Sequence, residues 1–146
     1  MSIKHLIAAA LVTFPTATLA QDTPSPEGAE VYFVSLEDGA TVSSPVTILF
    51  GLSGMGVAPA GTERHDTGHH HLFLNRAPLG ETEEGAEELL YGIPADDNHI
   101  HFGGGQTQIT LDLEPGEYTM QLVMGDLNHV PHVPPIASDQ ITVTVE

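Results

Sequence analysis

Short β-branched and aromatic runs, each closed by a turn signal after roughly ten residues, dominate this 146-residue chain and leave almost no stretch with helical periodicity. Val31-Tyr32-Phe33-Val34 runs into the turn Glu37-Asp38-Gly39, and Pro45 opens a second run from Val46 to Leu52. Gln108 to Leu113 joins Tyr118 to Met124 through Glu114-Pro115-Gly116, and Ile141 to Val145 closes the series. With two histidine-bearing runs between them, about seven strands are expected. The pattern predicts an all-β, immunoglobulin-like β-sandwich, with a small barrel as the alternative.

The first twenty residues stand apart from that pattern. Lys4 and His5 make a basic start, Leu6 to Phe14 is apolar, and Thr18-Leu19-Ala20 offers the small residues that a signal peptidase requires. Residues 1–20 are therefore expected to be a cleaved signal peptide, residues 21–28 a flexible linker, and residues 29–146 a single domain. The apolar stretch is well short of the roughly 20 residues that span a bilayer, so no membrane insertion is expected. The chain has no cysteine, which excludes a lipid-modified cysteine, a disulfide framework, thiolate zinc sites and iron–sulfur clusters. A bacterial periplasm is the expected location.

The formal net charge is −17, and losing Lys4 with the signal leaves Arg64 and Arg76 as the permanently basic side chains. Such a surface repels nucleic acid and anionic membrane. It attracts cations, although acidity also serves solubility alone.

Three histidine clusters carry the chemistry: Gly68-His69-His70-His71-Leu72, Asn98-His99-Ile100-His101-Phe102 and His129-Val130-Pro131-His132. Neutral imidazole is the commonest protein ligand for metals. In a strand, residues i and i+2 share a face, so His69 pairs with His71 and His99 with His101. If the leucines of the first run face the core, His70 points inward and His69 and His71 point away. The same reasoning puts Ile100 and Phe102 inward and His99 and His101 outward. His129 and His132, set among Pro131, Pro134 and Pro135, are placed to close such a site from a loop or to form a second one. The candidate metal ligands are thus His69, His71, His99, His101, His129 and His132.

An all-nitrogen site prefers copper(II) over zinc by the usual stability order, which makes copper the expected metal and zinc the alternative. Met55 offers a thioether for copper(I), whereas Met120 and Met124 share a strand face with Tyr118 and Leu122 and are expected in the core. Asp66, Asp97 and Asp126 lie close in sequence to the histidines and are candidates for orienting ring nitrogens or for capping loops. Glu81 to Glu88 reads as a solvated acidic segment with at most one helical turn, and it lacks the ligand spacing of a calcium loop. Gly103-Gly104-Gly105 marks a bulge or close backbone approach rather than a phosphate loop. Gly51-Leu52-Ser53-Gly54-Met55 departs from a nucleophile elbow at its last position.

Taken together, Val57-Ala58-Pro59-Ala60-Gly61, the first two histidine clusters, Gly103 to Thr107, and Gly125-Asp126 through His132 resemble the bacterial domain of unknown function numbered 4399. The resemblance runs from about Ala29 to Val145. It implies an exported single-domain protein without an assigned biochemical role. The paired His-x-His strands are also similar to those of copper,zinc superoxide dismutase, an analogy weakened by the absence of that family's cysteine pair.

Three functions follow in order of expectation. The first is a periplasmic metal-binding protein whose partners are a metal ion and another periplasmic metal-handling protein. The second is a non-enzymatic cell-envelope interaction module with a structural histidine network. The third is a metalloenzyme, which needs an open coordination position and a nearby base that the sequence does not display.

Overall fold

The computed structural model describes residues 22–146, so the signal peptide expected over 1–20 lies outside the described residues. The elements in chain order are β1 (Glu30–Phe33), β2 (Ala40–Val42), β3 (Val46–Ser53), β4 (Gly56–Val57), β5 (Thr67–Leu74), α1 (Glu83–Tyr91), β6 (His99–His101), β7 (Gln108–Leu111), β8 (Gly116–Gly125) and β9 (Ile141–Val145). They form an all-β sandwich. A three-stranded sheet in the order β1-β3-β7 packs on a six-stranded sheet in the order β2-β9-β8-β5-β4, with β6 also paired to β5.

The core lies between the sheets. Ile48 and Phe50 of the smaller sheet meet Leu72, Met120, Leu122, Met124 and Val143 of the larger. Each fully buried aliphatic side chain of this kind contributes about 1.5–3 kcal/mol. Met120 and Met124 are core residues, as their strand face predicts.

The larger sheet is also covered on its other face. There Phe73, Ile93 and Val123 form a smaller buried cluster with Leu79 packed against it. The acidic segment is mostly exposed, as its composition predicts, but it is helical over more than the one turn expected. Residues 83–91 form a helix whose N-cap, Thr82, accepts a hydrogen bond from Gly85 N at 3.0 Å, and Glu83 and Glu84 complement the dipole in the first turn. Glu88 on this helix is buried. Periodicity alone missed the helix because it is short and only two of its residues, Gly85 and Glu88, are buried.

The segment expected as a flexible linker is instead tied to the body of the domain. Ser25 N donates to Val133 O at 3.0 Å, Val133 N donates to Thr23 O at 2.9 Å, and the Thr23 hydroxyl donates to Asp126 Oδ2 at 2.6 Å.

Candidate metal centre

Strand β5 has partners on both flanks, and its register fixes the site. His69 lies opposite Gly125 and His71 opposite Val123 on β8, while His71 also lies opposite His101 on β6. Because facing residues of an antiparallel pair project from the same side, His69, His71 and His101 emerge together on the face away from the main core. His70 projects the other way and packs its ring 5.2 Å from that of Phe50, as strand alternation predicts.

Away from the core does not mean exposed to solvent. His69 and His71 are both buried, because the Asp126 to His132 loop covers this end of the sheet. His129 reaches in from that loop. Its ring centroid lies 5.1 Å from His69, 4.7 Å from His101 and 6.1 Å from His71. The remaining separations are 4.8 Å for His69–His71, 5.0 Å for His69–His101 and 5.1 Å for His71–His101. His101 and His129 are half-buried and form the open side.

Donor atoms of His69, His71 and His101 lie within 4.8 Å of one another, close enough to hold one metal ion. The Nε2 atoms of His69 and His71 are 3.0 Å apart. Two nitrogens bound tetrahedrally at about 2.0 Å from an ion would be about 3.3 Å apart, so little movement separates this arrangement from a ligating one. Nδ1 of His71 and Nε2 of His101 are buried without a hydrogen-bond partner. Both ring nitrogens of His70 and His132, outside this cluster, are buried without a partner in the same way.

Two glycines make the room. A Cβ on Gly125 would stand 2.7 Å from His71 Nε2, and one on Gly103 would stand 2.3 Å from His101 Cε1. Gly103 is thus a close-approach glycine, the role that the glycine triplet suggested. His129 adopts the left-handed region with φ 70°, and it is held by a bond from its own N–H to Asp126 O at 3.0 Å and by one from Ile93 N to its carbonyl at 2.8 Å. Asp126 anchors this turn. Its Oδ1 accepts from Asn128 N at 2.8 Å and from Val130 N at 3.0 Å. Asp126 is therefore a loop cap.

Burial and mutual repulsion favour the neutral form of His69, His71 and His101. Desolvation, helped by His101 and His129, lowers the His69 pKa to about 4. Desolvation, reinforced by His69 and His101, pushes His71 down to about 2. His101 is lowered by burial and then by His129. Neutral imidazoles are the form that binds a metal.

The structure brings together His69, His71, His101 and His129 of the six candidate ligands and places His99 and His132 elsewhere. His99 lies opposite Phe73, one alternate position along the ladder, with its ring 4.9 Å from that of Phe73. Its Nδ1 contacts Asp96 Oδ1 at 2.7 Å and its Nε2 contacts Glu88 Oε1 at 2.9 Å. Asp96, rather than the neighbouring Asp97, is the residue that engages a histidine. His132 is buried beside Gly68, where its Cε1 would be 3.0 Å from a Cβ on that glycine.

Residues 48–146 match the family model described as domain of unknown function (DUF4399). The chain belongs to this family. The DUF4399 match contains all four converging histidines, as well as His99 and His132. It starts at Ile48 and leaves β1 and β2 outside, so it is shorter than the resemblance expected from about Ala29. No curated protein and no solved structure matches the chain.

Proposed function

We propose that this DUF4399 protein is an exported metal-binding protein of the bacterial periplasm, with His69, His71, His101 and His129 as ligands and copper as the metal. The observation that carries the reading is the convergence of the His69, His71 and His101 donor atoms within 4.8 Å of one another, with the His129 ring centroid 4.7–6.1 Å from their rings. Nitrogen donors without thiolate favour copper(II), with zinc second in the stability order. The half-buried rings of His101 and His129 leave a route for the ion, and for transfer to a second periplasmic metal-handling protein.

The test is a competition titration of the purified protein, residues 21–146, against a chelator of known affinity, using copper(II) and zinc in turn. One equivalent of copper(II) is expected to bind with a Kd well below micromolar, and His69→Ala/His71→Ala is expected to abolish uptake. Binding no tighter than tens of micromolar, or uptake unchanged in the double variant, would overturn the proposal.

A further inference from the structure

Among the described residues, the smaller sheet ends at β1, which is paired with β3 on one side and with no strand on the other. Val34 N donates to Leu49 O at 3.0 Å, and the register continues with Phe33 opposite Phe50, Tyr32 opposite Gly51 and Val31 opposite Leu52. Hydrogen-bonded positions alternate in an antiparallel ladder, so Val34, Tyr32 and Glu30 turn their backbone groups toward β3. The N–H and C=O of Val31 and Phe33 therefore point outward from the sheet.

Residues 136–138 form the facing rim of the larger sheet. Met124 N donates to Ile136 O at 2.9 Å and Ser138 N donates to Leu122 O at 2.9 Å, so Ala137, bridged to Val123, turns its own N–H and C=O away from β8. Between the two edges lies an open groove of about 380 Å³. Its floor is made by Val31, Leu36, Ile136 and Ile141, all members of the main core cluster. Its charged side chains are Glu30 and Asp139, both exposed.

This combination fits an extended chain. Backbone donors and acceptors repeated every second residue match another strand, whereas a small-molecule site is marked by polar side chains converging on one point. Natural sheets shield such edges with lysine, proline or a bulge, and β1 has none of the three, its register being unbroken from Glu30 to Phe33. A second copy of the chain is a poor occupant. At a net charge of −17 the copies repel, and a second β1 would add acid to a groove whose charged side chains are already acidic.

We propose that β1 is a docking edge for an extended segment of a basic partner protein, apolar at alternate positions and carrying lysine or arginine beside them. The segment adds a fourth strand to the smaller sheet by bonding to the backbone of Val31 and Phe33. Its inward side chains cover Leu36 and Ile136, its outward ones lie beside Tyr32, which is 46% exposed, and its cations meet Glu30 and Asp139. The groove shares no residue with the four-ring cluster, so the docking edge does not depend on metal binding.

The experiment combines a chemical-shift titration with amide hydrogen exchange on isotope-labelled protein, residues 21–146, using acetyl-KVTVTK-amide and acetyl-EVTVTE-amide as probes. The lysine peptide should give saturable shifts at residues 29–36 and 135–141 and slow the exchange of the Val31 and Phe33 amides, while those of Tyr32 and Val34, already bonded to β3, change little. It should bind at least about fivefold more tightly than the glutamate peptide, and Glu30→Gln/Asp139→Asn, at two exposed positions, should remove most of that preference. No saturable shift at millimolar lysine peptide, protection along β1 without alternation, equal binding of the two peptides, or a preference unchanged in the double variant would each overturn the proposal. Concentration-dependent protection of Val31 and Phe33 in the peptide-free protein, with a dimer in sedimentation, would assign the edge to a second copy and overturn it as well.

Discussion

Gly125 lies directly across the β5–β8 ladder from His69, and a Cβ placed on it would stand 2.7 Å from Nε2 of His71. The ring that the sheet brings to the centre of the cluster is there because its neighbour has no side chain. Gly125→Ala should force the His71 ring from its position, lowering copper affinity at least tenfold and destabilising the metal-free protein by about 1–3 kcal/mol. Chelator competition and urea denaturation measure the two effects. Unchanged affinity would show that the His71 ring does not contribute.

His99 and His69 should respond in opposite ways to replacement. His99→Ala removes a partner from buried Glu88 and should cost the metal-free fold about 1–3 kcal/mol, with copper affinity within about threefold of the parent. His69→Ala should abolish tight binding. Parallel melting curves and titrations separate the two, and a His99→Ala protein that loses its copper would contradict the assignment.

Asp126 should act through shape rather than charge. Asp126→Ala leaves the N–H groups of Asn128 and Val130 and the Thr23 hydroxyl without their acceptor, and should loosen the His129 turn at a cost of about 1–3 kcal/mol. Asp126→Asn keeps the Oδ1 acceptor, and its amide can donate to the Thr23 hydroxyl, so it should restore most of the stability and affinity. Thermal melts of the three proteins, with and without copper, test this order.

Acid should destabilise the metal-free protein earlier than it releases the metal. His69 and His70 are lowered from 6.5 to about 4, and His71 to about 2, chiefly by desolvation. Below pH 6.5 the unfolded chain takes up protons that the folded chain refuses, so this contribution to stability is complete above 6.5 and declines as the pH falls toward 4 and below. The urea midpoint should therefore drop between pH 7 and pH 5. Copper binding through His69 and His71, whose folded rings are lowered to about 4 and about 2, should persist below pH 6. A midpoint independent of pH over that range would refute the reading.

The face on which each histidine would emerge was legible from the sequence; which histidines would meet was not. Alternation fixed His69, His71, His99 and His101 on one side and His70 on the other, because period two is a property of the strand itself. Register is a property of two strands together, and here it places His101 opposite His71 but His99 opposite Phe73. His129 was visible as a loop residue, but its inward turn depends on the Asp126 cap and the bond to Ile93 N, which only the folded chain brings together. The pinned segment at Thr23 was missed for a similar reason, since its partners Asp126 and Val133 lie far away in sequence, whereas helix α1 is short and buries only Gly85 and Glu88.

The four rings differ in how firmly their backbones are anchored. His69 and His71 ride on an eight-residue strand bonded along both edges, whereas His101 belongs to a three-residue strand and His129 to a turn. One half of the cluster is an anvil and the other a latch. A shift of the His129 turn would open the cluster without unzipping any ladder, whereas freeing His101 would part β6 from β5.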